Sequence, residues 1–394
     1  MNLNFIAAKL QNLKENGLYR TRVQADSGCK PLVETKGRTR LAFNSNDYLG
    51  LASDPRVIEA FQEGVSLYGV GSGASHLISG HGKAHALLEE RLSQLMSPMI
   101  PNAAALYFCS GYMANLAVVT SLVSGAEEGV TIFSEELNHA SIIDAIRLCK
   151  APFVVYPHCD TQALGQMLRE SKSKTKLVLT DGVFSMDGDI APLLKLVAMC
   201  EREGAWLVVD DAHGFGVLGQ HGLGALEHFG ISSSHVIYMG TLGKAAGVCG
   251  AFVSAHATMI DWMIQRARPY IYTTAAPPAC AHALLKSVDL ITGTEGAKRR
   301  EHLHNLLDQF KQQISSSQHF QYKLLESDTP IQPLVIGSNE DVLNASKSLL
   351  ADGVWVSAIR APTVPVGTAR LRLTLSASHT ADQVDQLTRA LKRL

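Results

Sequence analysis

The sequence predicts an α/β fold in which a large domain on a mainly parallel sheet is followed by a small C-terminal α+β domain. Two observations carry this. Between residues 54 and 253, amphipathic stretches alternate with short apolar runs, as expected of strands buried on both faces beneath crossover helices. Beyond Pro277-Pro278, which punctuates that region, a long helical stretch leads to strand, strand, helix, strand, strand, helix. With 394 residues the chain exceeds one average domain and can bury a large core.

Taken in order, residues 1–20 read as helical, and the turn-rich Asp26-Ser-Gly-Cys-Lys-Pro31 leads into an extended stretch ending near Asn44. Residues 1–45 therefore form an N-terminal helix and arm, 46–290 the large domain and 291–394 the small one. Amphipathic periodicity predicts helices over 54–68, 83–96, 113–124, 140–149, 161–171 and 193–203. Apolar runs predict strands over 104–108, 130–133, 153–156, 177–179, 207–209, 236–239 and 250–253. One helical segment is predicted across 279–315, and no internal repeat or low-complexity tract is present.

Composition removes several classes of function. Apolar residues make up 46% and charged residues 18%, with a net charge of −1, so no strong field points to nucleic acid or an anionic membrane. No apolar run reaches 18 residues, and the first ten residues lack a signal-peptide core. The seven cysteines are scattered without Cys-x-x-Cys, which suits reduced thiols and a cytoplasmic protein.

Chemistry concentrates in Trp206-Leu-Val-Val-Asp210-Asp-Ala-His213-Gly and Thr241-Leu-Gly-Lys244. Each follows an apolar strand, and ligands of open α/β sheets gather at the carboxyl ends of strands. An acid, an imidazole, a hydroxyl and a lysine on one sheet edge match the needs of pyridoxal phosphate (PLP). That cofactor takes a lysine for its Schiff base and a carboxylate for its ring nitrogen. Asp-x-x-His alone is usually a surface loop; the glycine-flanked lysine on a neighbouring strand raises the functional reading above that. Ser110-Gly111-Tyr112 opens a helix after a strand, a natural phosphate seat, though it also reads as a plain strand-to-helix turn.

Five segments, Asn46-Asp-Tyr-Leu-Gly-Leu51, Gly71-Ser-Gly73 through Ser79-Gly80, Val183-Phe-Ser-Met-Asp-Gly188, Asp210-Asp-Ala-His-Gly214 and Ala369-Arg-Leu-Arg-Leu-Thr374, span nearly the whole chain in order. Together they resemble the α-oxoamine synthases, fold-type I PLP enzymes. The resemblance implies Lys244, His139 and Asp210 as catalytic residues. It implies Gly111, Tyr112 and Thr241 at the cofactor phosphate, Ser185 and His213 at the ring substituents, His139 on the ring face, and Thr273 or Thr274 from a neighbouring subunit. Arg372 would hold the amino-acid carboxylate by a forked pair, while Arg20, Arg360 and Thr363 would contact the acyl substrate; Arg370 and Asp211 would be structural. The implied reaction is a decarboxylative condensation of L-alanine with a pimeloyl thioester, carried by coenzyme A or acyl carrier protein, in a homodimer with its active site at the interface. The alternative within the family joins glycine to an acetyl thioester. Arg360 favours the longer, dicarboxylic acyl group, because a buried arginine facing an uncharged chain would be costly.

Other motifs yield to bland readings. Gly69, Gly71 and Ala74 satisfy G-x-G-x-x-G/A, yet a helical stretch precedes them instead of a strand. Gly82-Lys83 lacks the remainder of a phosphate-binding loop, and no G-x-S-x-G is present. His81 and His85 share a helix face without the glutamate of a zinc protease, so no metal is expected there. A non-catalytic subunit of the same fold is disfavoured by the presence of Lys244 together with Asp210 and His213.

Overall fold

The computed structural model describes residues 2–126, 129–316 and 320–394. The chain divides into two compact units: Met1–Tyr48 with Met186–Asp189 and Glu301–Leu394, and Leu49–Ser185 with Ile190–Arg300. Within the first unit, β1 (Leu32–Thr35) and β2 (Arg38–Ala42) form an antiparallel hairpin.

The second unit is built on seven strands: β3 (Ala103–Phe108), β4 (Val130–Glu135), β5 (Phe153–Tyr156), β6 (Thr175–Asp181), β7 (Trp206–Asp210), β8 (Val236–Thr241) and β9 (Ala251–His256). They run in the order β3-β9-β8-β7-β6-β4-β5. All neighbouring pairs are parallel except those of β9, which is antiparallel to both β8 and β3. The carboxyl ends of β4, β6, β7 and β8 thus lie on one edge, where the functional loops emerge.

Local chemistry sets the helices that cover this sheet. Asp54 caps Pro55–Tyr68, accepting the Arg56 N–H, with proline in the first turn. Ser110 Oγ accepts Met113 N–H at the start of Gly111–Gly125, and His139 caps Ala140–Cys149 through Ser141 N–H. Gly111–Gly125 buries Ala114, Ala117, Val118 and Leu122 against Leu106, Phe108, Ile132 and Val253. Burial at this depth stabilises by about 1.5–3 kcal/mol per large aliphatic side chain, so the start of this helix rests on a rigid base.

In the remainder of the first unit, β10 (Lys323–Leu324), β11 (Ile331–Gly337), β12 (Val354–Trp355), β13 (Ser357–Ile359) and β14 (Ala369–Thr374) follow in chain order. β10, β11, β14 and β13 form an antiparallel sheet, while β12 pairs in parallel with β2. The single strand expected between the helix Asn339–Ala351 and β14 is therefore shared between two sheets. The helix expected across 279–315 is also two helices, Pro278–Thr292 and Thr294–Ser315. Gly293 breaks it: the residue is extended, with its N–H returned to Asp289 O, and glycine is the weakest ordinary helix former. Among the described residues, no helix is long and apolar enough to cross a membrane.

Candidate active site

A cavity of about 180 Å³ opens at the carboxyl edge of the seven-stranded sheet, lined by Gly111, Tyr112, His139, Asp210, His213, Thr241 and Lys244 among others. Seven residues expected from separate parts of the sequence thus meet in one place within one unit. Asp210 ends β7 and is 4% exposed. Its Oδ2 accepts from Asn115 Nδ2 at 2.7 Å and its Oδ1 from Ala212 N–H at 3.0 Å, and Asn115 Nδ2 also donates to Ser141 Oγ at 2.8 Å. The carboxylate is thereby held at a fixed angle at the pocket floor. Lys244 Nζ lies 2.8 Å from His213 Nε2, placing an amine directly beside an imidazole.

His139 Nδ1 sits 2.7 Å from Ser141 Oγ, and its backbone N–H reaches Asp181 Oδ1 at 3.2 Å. Burial holds the His139 imidazole below its usual pKa, opposed by Asp210 and reinforced by Lys244, so the ring is biased toward neutrality. Thr241 Oγ1 is buried and donates to Gly250 O at 3.2 Å. Tyr112 OH donates to Asp144 Oδ2 at 2.7 Å, turning the phenol toward its neighbouring helix and leaving the backbone of the helix start to face the cavity. A Cβ at Gly111 would stand 3.6 Å from Met239 Cε and 3.8 Å from Thr241 Oγ1, so that start packs directly against the β8 end.

Three polar residues escaped the sequence reading. Asn115 lies one helical turn after Gly111, the spacing that returns a side chain to the same face. Ser141 lies two residues after His139. Asp181 ends β6 in register with Asp210 and is fully buried, its carboxyl pushed well above the usual range by burial first and then by the Asp210 charge. Asp211 is also buried, yet it points away: Oδ2 accepts Ala225 N–H at 2.6 Å and Tyr238 OH at 2.8 Å.

Ser185 and Thr274 are absent from the lining of this cavity. Ser185 follows a backbone bridge between Val183 and Ile190, and Thr274 is exposed, bridged to Ser75. The Gly-Ser-Gly segment follows the helix Pro55–Tyr68 and leads into a single π turn, His76–Gly80. That turn brings His76 Nδ1 to 3.0 Å from His81 Nδ1.

The other expected substrate residues belong to the first unit. Arg372 lies on β14, 7% exposed, and donates to Asn46 Oδ1 and Thr374 Oγ1, each at 3.1 Å. Its strand neighbour Arg370 is paired with Asp187 at 2.6 Å. Arg20, Arg360 and Thr363 line one cavity of about 1180 Å³, with Leu10, Trp355 and Ile359 in its walls. Arg360 Nη1 donates to Gly17 O there.

The donor set of the smaller cavity fits PLP. A strand-end carboxylate held by two donors suits a protonated ring nitrogen, Lys244 supplies the amine, and the N–H groups at a helix start with the Thr241 hydroxyl suit a phosphate.

Comparison with known proteins agrees with this chemistry. The model of "Aminotransferase class I and II" matches residues 38–391. A protein of Janthinobacterium sp. (strain Marseille) named 8-amino-7-oxononanoate synthase is 58% identical, over 98% of this chain and 96% of its own. Among solved structures, a serine palmitoyltransferase variant from S. paucimobilis with a bound PLP-myriocin aldimine has a TM-score of 0.88 at 26% identity, covering 99% of this chain and 96% of that one. The 8-amino-7-oxononanoate synthase of Francisella tularensis has a TM-score of 0.74 at 30% identity, covering 90% and 97%. The chain belongs to the aminotransferase class I and II family and, within it, to the group that contains the 8-amino-7-oxononanoate synthases.

Proposed function

We propose that this chain catalyses the PLP-dependent condensation of L-alanine with a pimeloyl thioester, releasing carbon dioxide and giving 8-amino-7-oxononanoate, a step of biotin biosynthesis. The observation that carries the reading is the convergence of Lys244, Asp210 and His139 on one cavity, in a chain 58% identical to a protein of that name.

When bound, PLP supplies the electron sink for charge developing at the substrate α-carbon. Lys244 would anchor the cofactor through its amine, and its Nζ would take the substrate α-proton. His213, 2.8 Å from that amine, orients it and hydrogen-bonds the cofactor's phenolic oxygen. Asp210 keeps the ring nitrogen protonated, and its clamp by Asn115 and Ala212 keeps the charge in place without reorganisation. His139, neutral and braced by Ser141, covers the ring face and helps to hold the amino acid. The helix start at Gly111 and Tyr112, with Thr241, receives the phosphate. Ser185 adds a ring contact, and Thr274 reaches the site of a partner subunit in a homodimer. Arg372 binds the alanine carboxylate; Arg20, Arg360 and Thr363 bind the acyl chain, with an arginine for its distal carboxylate. The protein works in the cytoplasm on small-molecule substrates, with coenzyme A or acyl carrier protein delivering the acyl group.

A matrix of amino acids against acyl thioesters, read by mass spectrometry, tests this. The expected dominant product is 8-amino-7-oxononanoate from L-alanine and a pimeloyl thioester. Faster turnover of glycine with acetyl-coenzyme A would overturn the substrates while leaving the reaction class.

A further inference from the structure

We propose that Asn115 and Ser141 are positioning residues that lock the His139 imidazole in the tautomer with its proton on Nε2, making His139 a hydrogen-bond donor to the carboxylate of the amino-acid substrate. The identity of that acceptor rests on the function proposed above, whereas the tautomer follows from side chains within one compact unit.

Asp210 sets the direction of the chain of hydrogen bonds. A carboxylate only accepts, so the Asn115 amide turns its nitrogen toward Asp210 Oδ2, at 2.7 Å. The second N–H of the same group donates to Ser141 Oγ at 2.8 Å. Ser141 Oγ thus accepts from Asn115 and keeps one hydrogen to give, and His139 Nδ1 stands 2.7 Å away. The Ser141 backbone N–H approaches the same ring nitrogen at 3.3 Å, capping the helix Ala140–Cys149. A side chain caps a helix start only as an acceptor. Two donors therefore converge on Nδ1, which must carry the lone pair, and a proton there would confront the Ser141 N–H. Neutral imidazole has a single N–H, and here it lies on Nε2.

Burial makes the bias strong. Asn115 is 1% exposed and Ser141 is fully buried, so water does not compete for these bonds, and each shifts the tautomer ratio by roughly two- to tenfold. The charged and titratable groups facing His139 are Asp181, whose Oδ1 accepts the His139 backbone N–H, with Asp210 and Lys244. Burial, opposed by Asp210 and reinforced by Lys244, holds the ring below its usual pKa, in keeping with two donors on Nδ1. Among the described residues Nε2 has no protein partner, and His139 lines the cavity. The cap, the tautomer and the orientation of Asp210 are thus one arrangement, running from the strand end through Asn115 and Ser141 to the imidazole.

NMR of the full-length, cofactor-loaded protein with isotope-labelled histidine nitrogens tests this without turnover. The His139 signal, identified by its loss in His139→Asn, should show a proton on Nε2 and none on Nδ1. In Ser141→Ala both tautomers should be populated and the His139 pKa should rise, because a donor to the lone pair has gone. Asn115→Ala, which lets the Ser141 hydroxyl turn, should also give a mixture. The dissociation constant of L-alanine for Ser141→Ala, read from cofactor absorbance, should rise roughly two- to tenfold, the scale of one neutral hydrogen bond. A proton on Nδ1 in the wild type, or an unchanged tautomer in a folded Ser141→Ala variant, would overturn the proposal. A shifted tautomer with unaltered L-alanine affinity would overturn the substrate contact. A different amino acid in the dominant product would instead overturn the function proposed above and leave the measured tautomer standing.

Discussion

Lys244 and His213 meet at 2.8 Å, and this contact makes the first prediction specific. Lys244→Ala removes the amine that, among the described residues, lines the cavity, so turnover should vanish while the fold persists. Borohydride treatment of the cofactor-loaded wild type, followed by peptide mapping, should mark Lys244; marking of Lys150 or Lys195 would end the assignment. Asp210→Asn leaves the shape intact but replaces the charge that favours a protonated ring nitrogen, an effect of about 1–3 pKa units for such a neighbour. Rate should fall by about ten- to a thousandfold with the cofactor still bound, as read by kcat and cofactor absorbance. Asp181 sharpens the contrast. Burial first, and then the Asp210 charge, pushes its carboxyl toward the neutral form. If Asp210→Asn kept its turnover and Asp211→Asn lost it, the roles assigned to the two carboxylates at this strand end would be reversed.

The end of β7 shows how one element serves both stability and chemistry. Asp210 faces the cavity while Asp211 turns back to clamp the loop to Ala225 and Tyr238. Burial pushes the Asp211 carboxyl up to about 7. Its folded pKa exceeds the unfolded value, so its stabilising contribution is full below about pH 4 and is lost as pH rises through about 7. The melting temperature of the wild type should therefore fall between about pH 4 and 7 more steeply than that of Asp211→Asn, which cannot ionise. A parallel pH dependence in the two proteins would remove Asp211 as the cause. Gly224 belongs to the same clamp: it sits at φ +92°, and a Cβ there would stand 2.1 Å from Asp211 Oδ2. Gly224→Ala should cost about 2–4 kcal/mol in denaturant unfolding. The strands and helices around this clamp were legible because apolar runs buried on both faces and amphipathic periods leave a direct mark on sequence. The strand order and the reversal of β9 were not, since periodicity carries no direction. Asn115, Ser141 and Asp181 were silent for a related reason. Each is a polar residue whose role comes from a tertiary neighbour, as when the register of β6 on β7 sets Asp181 beside Asp210.

At the scale of the whole molecule, the proposed tasks fall on two compact units. Lys244, Asp210 and His139 belong to the larger, while Arg20, Arg360, Thr363 and Arg372 belong to the smaller. Acyl selection and proton transfer should therefore separate under mutation. Arg360 is the discriminating residue. It lines a cavity of about 1180 Å³ with apolar walls at Leu10, Trp355 and Ile359, roomy enough for a long aliphatic chain. A guanidinium half-buried in such walls is costly without an anionic partner, and its contact with Gly17 O satisfies a hydrogen bond but not its charge. The distal carboxylate of a pimeloyl group meets that need; an acetyl group does not. Rejection of the shorter donor then follows from leaving the arginine unpaired. Arg360→Ala should lower kcat/KM for the pimeloyl thioester by about 1.5–3 kcal/mol, roughly ten- to 150-fold, the scale of a charged hydrogen bond. The KM for L-alanine and the absorbance of the bound cofactor should stay as in the wild type, because the groups that set them lie elsewhere in the chain. Equal losses toward pimeloyl and acetyl donors would mean that Arg360 supports the cavity wall and reads no carboxylate.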